Sequence, residues 1–133
     1  MDLDNLYELV NVEAIYSPNS KISKIIDARV VPIEEVYIST FKHGEKRGWK
    51  QHSLQEGRMF CIKGEVAFYI KRKLEETAIK VILKEEEDKM LVIKPQTIYA
   101  FEGLDAYNSI LNCASRYNAK GESKNFDFNT FNF

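Results

Sequence analysis

The sequence predicts an all-β domain folded as a two-sheet jelly roll or small barrel, and three observations carry that expectation. β-Branched and aromatic residues recur in strand-length runs, among them VYISTF, GRMFCI, EVAFYI, AIKVIL, MLVI, TIYAF and YNSILN. The separators are short and carry turn residues or charge, as in KHGEKRG, KG, KEEEDK and EGLDA. No helical segment stands between the runs, so the strands pair antiparallel, and roughly eight of them must curl or stack to cover their edges. Such a fold encloses a cavity in which inward side chains meet a ligand.

Along the chain, Leu3, Leu6, Tyr7, Leu9 and Val10 have a weak helical spacing that fits an entering strand equally well, until SPNS breaks it. The β-rich region begins at Ile22 with ISKIIDARVV. In Val66–Ile70 and Ile79–Leu83 apolar residues partly alternate with polar ones and partly run on, as expected where some strands have one wet face and others are covered twice. KEEEDK reads as a solvated hairpin tip. In the tail, Phe126, Phe128, Phe131 and Phe133 alternate with polar residues, a pattern expected to dock on the domain or on a partner subunit.

At 133 residues the chain fits a single domain, 1–133, with one core. Its 19 Lys and Arg against 20 Asp and Glu leave a net charge of -1, so no bulk positive charge is available to hold a nucleic-acid backbone. The apolar runs are too short to span a membrane and the amino terminus opens acidic, so a cytoplasmic protein is expected. Cys61 and Cys113 stand far apart outside any CxxC, which fits reduced, structural thiols.

Residues capable of chemistry concentrate in RGWKQHSLQEGR, Arg47 to Arg58. Regular strand alternation puts Gly48, Lys50 and His52 on one face and Arg47, Trp49 and Gln51 on the other. Facing inward, Lys50 and His52 form a cationic pair able to hold an anion or move a proton; facing outward, they are the polar face of a surface strand. His43 and His52 are the only histidines, and His43 lies in a turn, so the chain lacks the two or three converging imidazoles of a β-barrel metal site. No metal and no cofactor are expected. The six glycines lack the spacings of GxSxG, the P-loop and GxGxxG, which leaves hydrolase and nucleotidyl-transfer readings without support. Trp49 is read as a packing residue or as a platform that stacks on a base or sugar. Arg58, ahead of Met59–Ile62, is a candidate for phosphate, with the reservation of parity that its side chain points to the opposite face unless a bulge intervenes.

Taken in order, RGWKQH, GRMFCIKGEVAFYI, MLVIKPQTIYAF and SILNCASRYNAKGE resemble the dTDP-4-dehydrorhamnose 3,5-epimerase family of cupins, from about Val36 to Glu122. The anchors are Arg47-Gly48 against RGxH, Gly64-Glu65-Val66 against GEV, and Ile93-Lys94-Pro95 with Phe101 against IPPGxxHGF. The sugar-nucleotide 3,4-ketoisomerases, with RGxHxH, are similar in the same order, and Arg47, Gly48 and His52 fit their pattern. The resemblance implies a cupin-type double-stranded β-helix (jelly roll) with a short N-terminal extension and a C-terminal tail, a homodimer, and a metal-free pocket. Its implied reaction is isomerisation or epimerisation of a dTDP-4-keto-6-deoxy sugar by proton transfer alpha to the ketone, in surface polysaccharide biosynthesis. The alternative is a noncatalytic cupin that binds a sugar nucleotide or another anionic small molecule. The resemblance makes His52, Lys50 and Tyr99 catalytic candidates and Arg47, Arg58, Trp49 and Tyr117 substrate-binding candidates. Lys50 stands where the family keeps a histidine, Tyr99 where it keeps the histidine of PGxxH, and Leu111 where the epimerases keep a catalytic tyrosine.

Overall fold

The computed structural model describes residues 6–116 and 121–126. Among the described residues the strands, in chain order, are β1 (Tyr7–Asn11), β2 (Glu13–Ser17), β3 (Ser20–Lys24), β4 (Glu35–Lys42), β5 (Lys46–His52) and β6 (Gly57–Lys63). They continue with β7 (Glu65–Lys71), β8 (Ile79–Lys84), β9 (Lys89–Ile93), β10 (Ile98–Gly103), β11 (Tyr107–Ala114) and β12 (Ser123–Asn125). One five-stranded sheet has the order β1-β9-β6-β11-β4, the other β12-β5-β10-β7-β8, and β2 pairs only with β3. The pairings are antiparallel throughout. This is the all-β, two-sheet jelly roll that the run pattern and the resemblance imply.

The amino-terminal segment is strand rather than helix: β1 adds to the edge of the first sheet, with Tyr7 opposite Ile93. The expected strand ISKIIDARVV stops at Lys24, and the chain from Ile25 to Glu34 is a connection. KEEEDK is not a hairpin tip. β8 belongs to the second sheet and β9 to the first, so this segment carries the chain from one sheet to the other. Its carboxylates serve the crossing: Glu85 Oε1 accepts from the Gly64 amide at 3.1 Å and Glu87 Oε1 from the Lys84 amide at 2.9 Å. Charge alone made the segment look like a solvated tip, whereas the jelly roll alternates sheets at nearly every connection.

The inner faces of the two sheets meet in one core that includes Phe41, Met59, Phe68, Ile70, Leu91 and Ile110. Phe101 joins it with ring centroids 5.3 Å from Phe41 and 5.4 Å from Phe68, at the tilted angles aromatic rings prefer. A second cluster covers the outer face of the second sheet, where Trp49, Ile98 and Ala100 pack with Tyr69, Leu74, Ala78 and Phe126. β7 and β10 are therefore covered on both faces, which is why their apolar residues run on instead of alternating.

Two glycines hold close approaches. Gly64 (φ +83°) links β6 to β7, and a Cβ there would lie 2.4 Å from Asn108 Oδ1. Gly48 (φ +102°) sits in β5, and a Cβ there would lie 2.7 Å from the Tyr99 carbonyl oxygen and 2.9 Å from the Ala100 Cα. Both obstacles at Gly48 are backbone, so β5 would have to move away from β10. Gly48→Ala is expected to lower the unfolding free energy by about 1–3 kcal/mol, the range for a side chain forced into a left-handed conformation. Urea denaturation beside the parent chain reads it.

Candidate functional site

Between the sheets lies a cavity of about 120 Å³. A cavity of about 150 Å³ can hold benzene, so this one admits a single small ring, with the rest of a larger ligand at its mouth. Its apolar wall is Met59, Phe101 and Ile110, and its polar groups come from Tyr37, Ser39, Arg47, Lys50, Tyr99 and Asn112.

A register shift places the cations. Against β10, Tyr99 is opposite Lys50 but Ala100 is opposite Gly48, so Trp49 is the extra residue of a bulge in β5. Regular alternation would separate Arg47 from Lys50. With the extra residue both line the cavity, Arg47 opposite Phe101 and Lys50 opposite Tyr99. Arg47 is half exposed at the rim and pairs with Glu45 at 3.3 Å. Trp49, fully buried, packs in the outer cluster with the Lys71 ammonium 4.7 Å from its ring centroid. Of the two readings of Trp49, packing is the one observed, and its place among the substrate-binding candidates is corrected: it anchors the outside of the sheet.

His52 is 4% exposed and points into the molecule, as the inward alternative for Lys50 and His52 required. It does not border the cavity itself; Tyr99 stands between, with its hydroxyl 3.4 Å from His52 Nε2. Gln55 Nε2 is also 3.4 Å from that nitrogen, while Nδ1 has no partner among the described residues. Burial, followed by the charge of Lys50, lowers the His52 pKa to about 4 against a smaller opposing pull from Glu122. The imidazole is thus neutral at pH 7, with an acceptor nitrogen available to the phenol. Burial is also the main cause that holds the Tyr99 phenol in its protonated form well above the usual range.

The carboxy-terminal strand secures this arrangement. β12 pairs with the open edge of β5, Ser123 opposite His52 and Asn125 opposite Lys50. Glu122 Oε1 accepts from the amides of Leu54 at 2.9 Å and Gln55 at 2.7 Å. Desolvation opposes ionisation of Glu122, but those two amides, with His52 and Arg116, leave its pKa below the ordinary value. The Phe126 amide donates to the Trp49 carbonyl at 2.8 Å, and the Phe126 ring packs against the outer cluster. The expectation that the tail docks on the domain thus holds for Phe126; Phe128, Phe131 and Phe133 lie outside the described residues, as does Tyr117.

Arg58 faces away from the cavity, as its parity warned. It lies between Gly57 and Met59 in a regular stretch of β6, opposite Cys113, and its guanidinium pairs with Glu56 at 3.1 Å. Its expected place at the ligand is corrected. Leu111 likewise points outward, opposite Ile38 of β4 and Phe60 of β6. The neighbouring Asn112 faces the cavity instead, opposite Tyr37. Sequence reasoning missed Tyr37, Ser39 and Asn112. The available signal was parity with Ile110: in β11 the residue two beyond a core isoleucine also faces in. No cluster of His, Cys, Asp and Glu suited to a metal ion occurs among the described residues, and no helix there is long and apolar enough to cross a membrane.

No protein-family model matches the sequence. No curated protein matches it either. Solved structures do. A dTDP-sugar isomerase from Desulfovibrio desulfuricans is 20% identical, with a TM-score of 0.82 over 93% of this chain and 85% of that one. The 3,4-ketoisomerase QdtA from Thermoanaerobacterium thermosaccharolyticum in complex with TDP is 20% identical, with a TM-score of 0.79 over 92% of this chain and 89% of that one. The epimerase RmlC from Legionella pneumophila in complex with dTDP-4-keto-L-rhamnose is 15% identical, with a TM-score of 0.81 over 96% and 76%. At these identities the likeness establishes the fold, an RmlC-type cupin.

The depressed His52 pKa has a consequence for stability. The unfolded imidazole titrates near 6.5 and the folded one near 4, so between these values the unfolded chain binds the extra proton. Stability is expected to fall as pH drops through this window, by roughly 3 kcal/mol for this group. In His52→Gln that part of the slope is expected to vanish; denaturant titrations of both proteins from pH 7 to 4 measure the difference.

Proposed function

We propose that this chain isomerises or epimerises a nucleotide-linked 4-keto-6-deoxy sugar by moving a proton alpha to the ketone. The observation that carries the reading is the convergence of Arg47, Lys50 and the Tyr37 and Tyr99 phenols on one ring-sized cavity. The fold is shared with dTDP-sugar isomerases and epimerases, one of them solved with TDP-4-keto-6-deoxyglucose. The sugar ring occupies the cavity and the diphosphate lies at its mouth, where the Arg47 fork meets it. As the carbon-bound proton leaves for Tyr99 Oη, the phenol proton passes to His52 Nε2, and the Lys50 ammonium stabilises the enolate; the return path delivers a proton to the other carbon or the other face. Tyr99 is the group that touches substrate, and His52 acts through it.

Two further expectations accompany this reading. A homodimer is supported by the exposed apolar side chains Val36 and Ile38 on the edge strand β4, and light scattering at micromolar concentration tests it. A cytoplasmic location is supported by the free, buried thiols of Cys61 and Cys113.

Incubation with dTDP-4-keto-6-deoxyglucose in deuterated water, followed by NMR, tests the chemistry. The parent chain is expected to incorporate deuterium beside the ketone. Tyr99→Phe is expected to lower the exchange rate by about 10²–10⁴ and Lys50→Met by about 10²–10³. Binding without exchange would replace the enzyme by a noncatalytic sugar-nucleotide cupin, a reading favoured by Lys50 standing where the resemblance calls for a histidine.

A further inference from the structure

Gln55 lies three residues beyond the end of β5 and is 2% exposed. Its backbone is held by a segment distant in sequence, since its amide donates to Glu122 Oε1 at 2.7 Å. Its side chain reaches back to His52, with the carboxamide Nε2 3.4 Å from the imidazole Nε2. The Tyr99 hydroxyl stands 3.4 Å from the same imidazole nitrogen. That nitrogen therefore faces two donors, one from the loop after β5 and one from β10. Both contacts are long for hydrogen bonds, as expected where two donors share a single lone pair. Gln55 does not border the cavity, so whatever it does for the chemistry it does through His52.

A neutral imidazole carries its proton on one nitrogen and a lone pair on the other, and an amide N–H can only donate. A proton on His52 Nε2 would be set against the amide hydrogens of Gln55, whereas a proton on Nδ1 leaves Nε2 free to accept from them. We propose that Gln55 is a positioning residue that fixes His52 in its Nδ1–H tautomer, its amide hydrogen keeping Nε2 unprotonated so that this nitrogen can take the Tyr99 proton. The inference rests on the sugar-nucleotide reading and deepens it, because it names the group that prepares the proton acceptor before substrate arrives. Burial and the charge of Lys50, against the smaller pull of Glu122, keep the ring neutral at pH 7, so the choice of tautomer is the one left to settle. Glu122 contributes a second time by holding the Gln55 backbone from which the side chain is aimed.

Long-range proton–nitrogen NMR of the full chain, labelled with nitrogen-15 on histidine, reads the tautomer at pH 7 without any ligand, and the exposed His43 supplies the only other imidazole signal. The parent chain is expected to show His52 with Nδ1 protonated and Nε2 bare. Tyr99→Phe is expected to keep that pattern because the Gln55 donor remains, and Tyr99→Phe combined with Gln55→Met, whose thioether has no hydrogen to donate, to lose it to the Nε2–H form. Gln55→Met alone is expected to slow deuterium exchange on dTDP-4-keto-6-deoxyglucose by about 2–10-fold in kcat, the span of one neutral hydrogen bond, with KM unchanged. Thermal melts check folding, and Gln55→Leu stands in should the methionine variant not fold. An Nε2–H imidazole in the parent chain, the form an amide turned to present Oε1 would select, overturns the assignment. So does an unchanged His52 pattern in the double variant, or an unchanged exchange rate in Gln55→Met. These outcomes leave the sugar-nucleotide reading intact, whereas a parent chain that neither binds nor exchanges the sugar nucleotide overturns that reading, and the catalytic use of Gln55 with it.

Discussion

One extra residue in β5 decides which side chains the cavity receives. Gly48 and Trp49 together oppose the single residue Ala100, so Arg47 and Lys50, three apart, face the same way. The bulge is held from outside: burying an indole removes about 150–250 Å² from water, worth roughly 4–6 kcal/mol as an upper bound. Returning Trp49 to regular alternation would push that ring toward the interior and Lys50 toward the outer cluster. The glycine before it permits the close approach to the Tyr99 carbonyl that the bulge demands. Outer packing and inner chemistry are therefore one constraint, exerted on a single strand.

That strand would otherwise be an edge. β12 covers it, and the Glu122 carboxylate binds the two amides that follow β5, so the loop leading from His52 is fixed by a segment distant in sequence. The arrangement holds His52 in surroundings that favour its neutral form, with Lys50 as a nearby positive charge. A neutral imidazole costs less to bury than a charged one, and the Tyr99 hydroxyl and Gln55 amide approach its Nε2 from within the protein. The site thus keeps the Arg47 charge at the rim and the His52 and Tyr99 rings buried.

Most strands are legible in the sequence because β-branched runs and turn residues report local geometry. The shared face of Lys50 and His52 was legible too, since the period of two holds wherever a strand is regular, but alternation alone left open whether that face is the inner one. The bulge was not, because an inserted residue changes the face of everything beyond it and leaves no mark in composition. Arg47 and Trp49 were assigned to a shared face for that reason, whereas Arg58, in a regular stretch, followed its parity. The sheet-crossing role of KEEEDK was hidden because charge reports exposure and not which sheet the next strand joins. Asn112 escaped because a polar residue within a strand looks solvent-facing until the neighbouring strands, remote in sequence, close over it.

The two sheets contribute unlike chemistry to the cavity. Arg47, Lys50 and Tyr99 come from β5 and β10 of the second sheet, whereas Tyr37 and Asn112 come from β4 and β11 of the first. The cavity is therefore bordered by charged groups on one side and by neutral hydrogen-bonding groups on the other. Between the sides runs the electrostatic influence of Tyr37 on Tyr99, whereas the contact of the Tyr99 hydroxyl with His52 Nε2 lies within the second sheet. Substitutions on β11 can therefore reshape one wall of the cavity while the register of β5 against β10 stays in place.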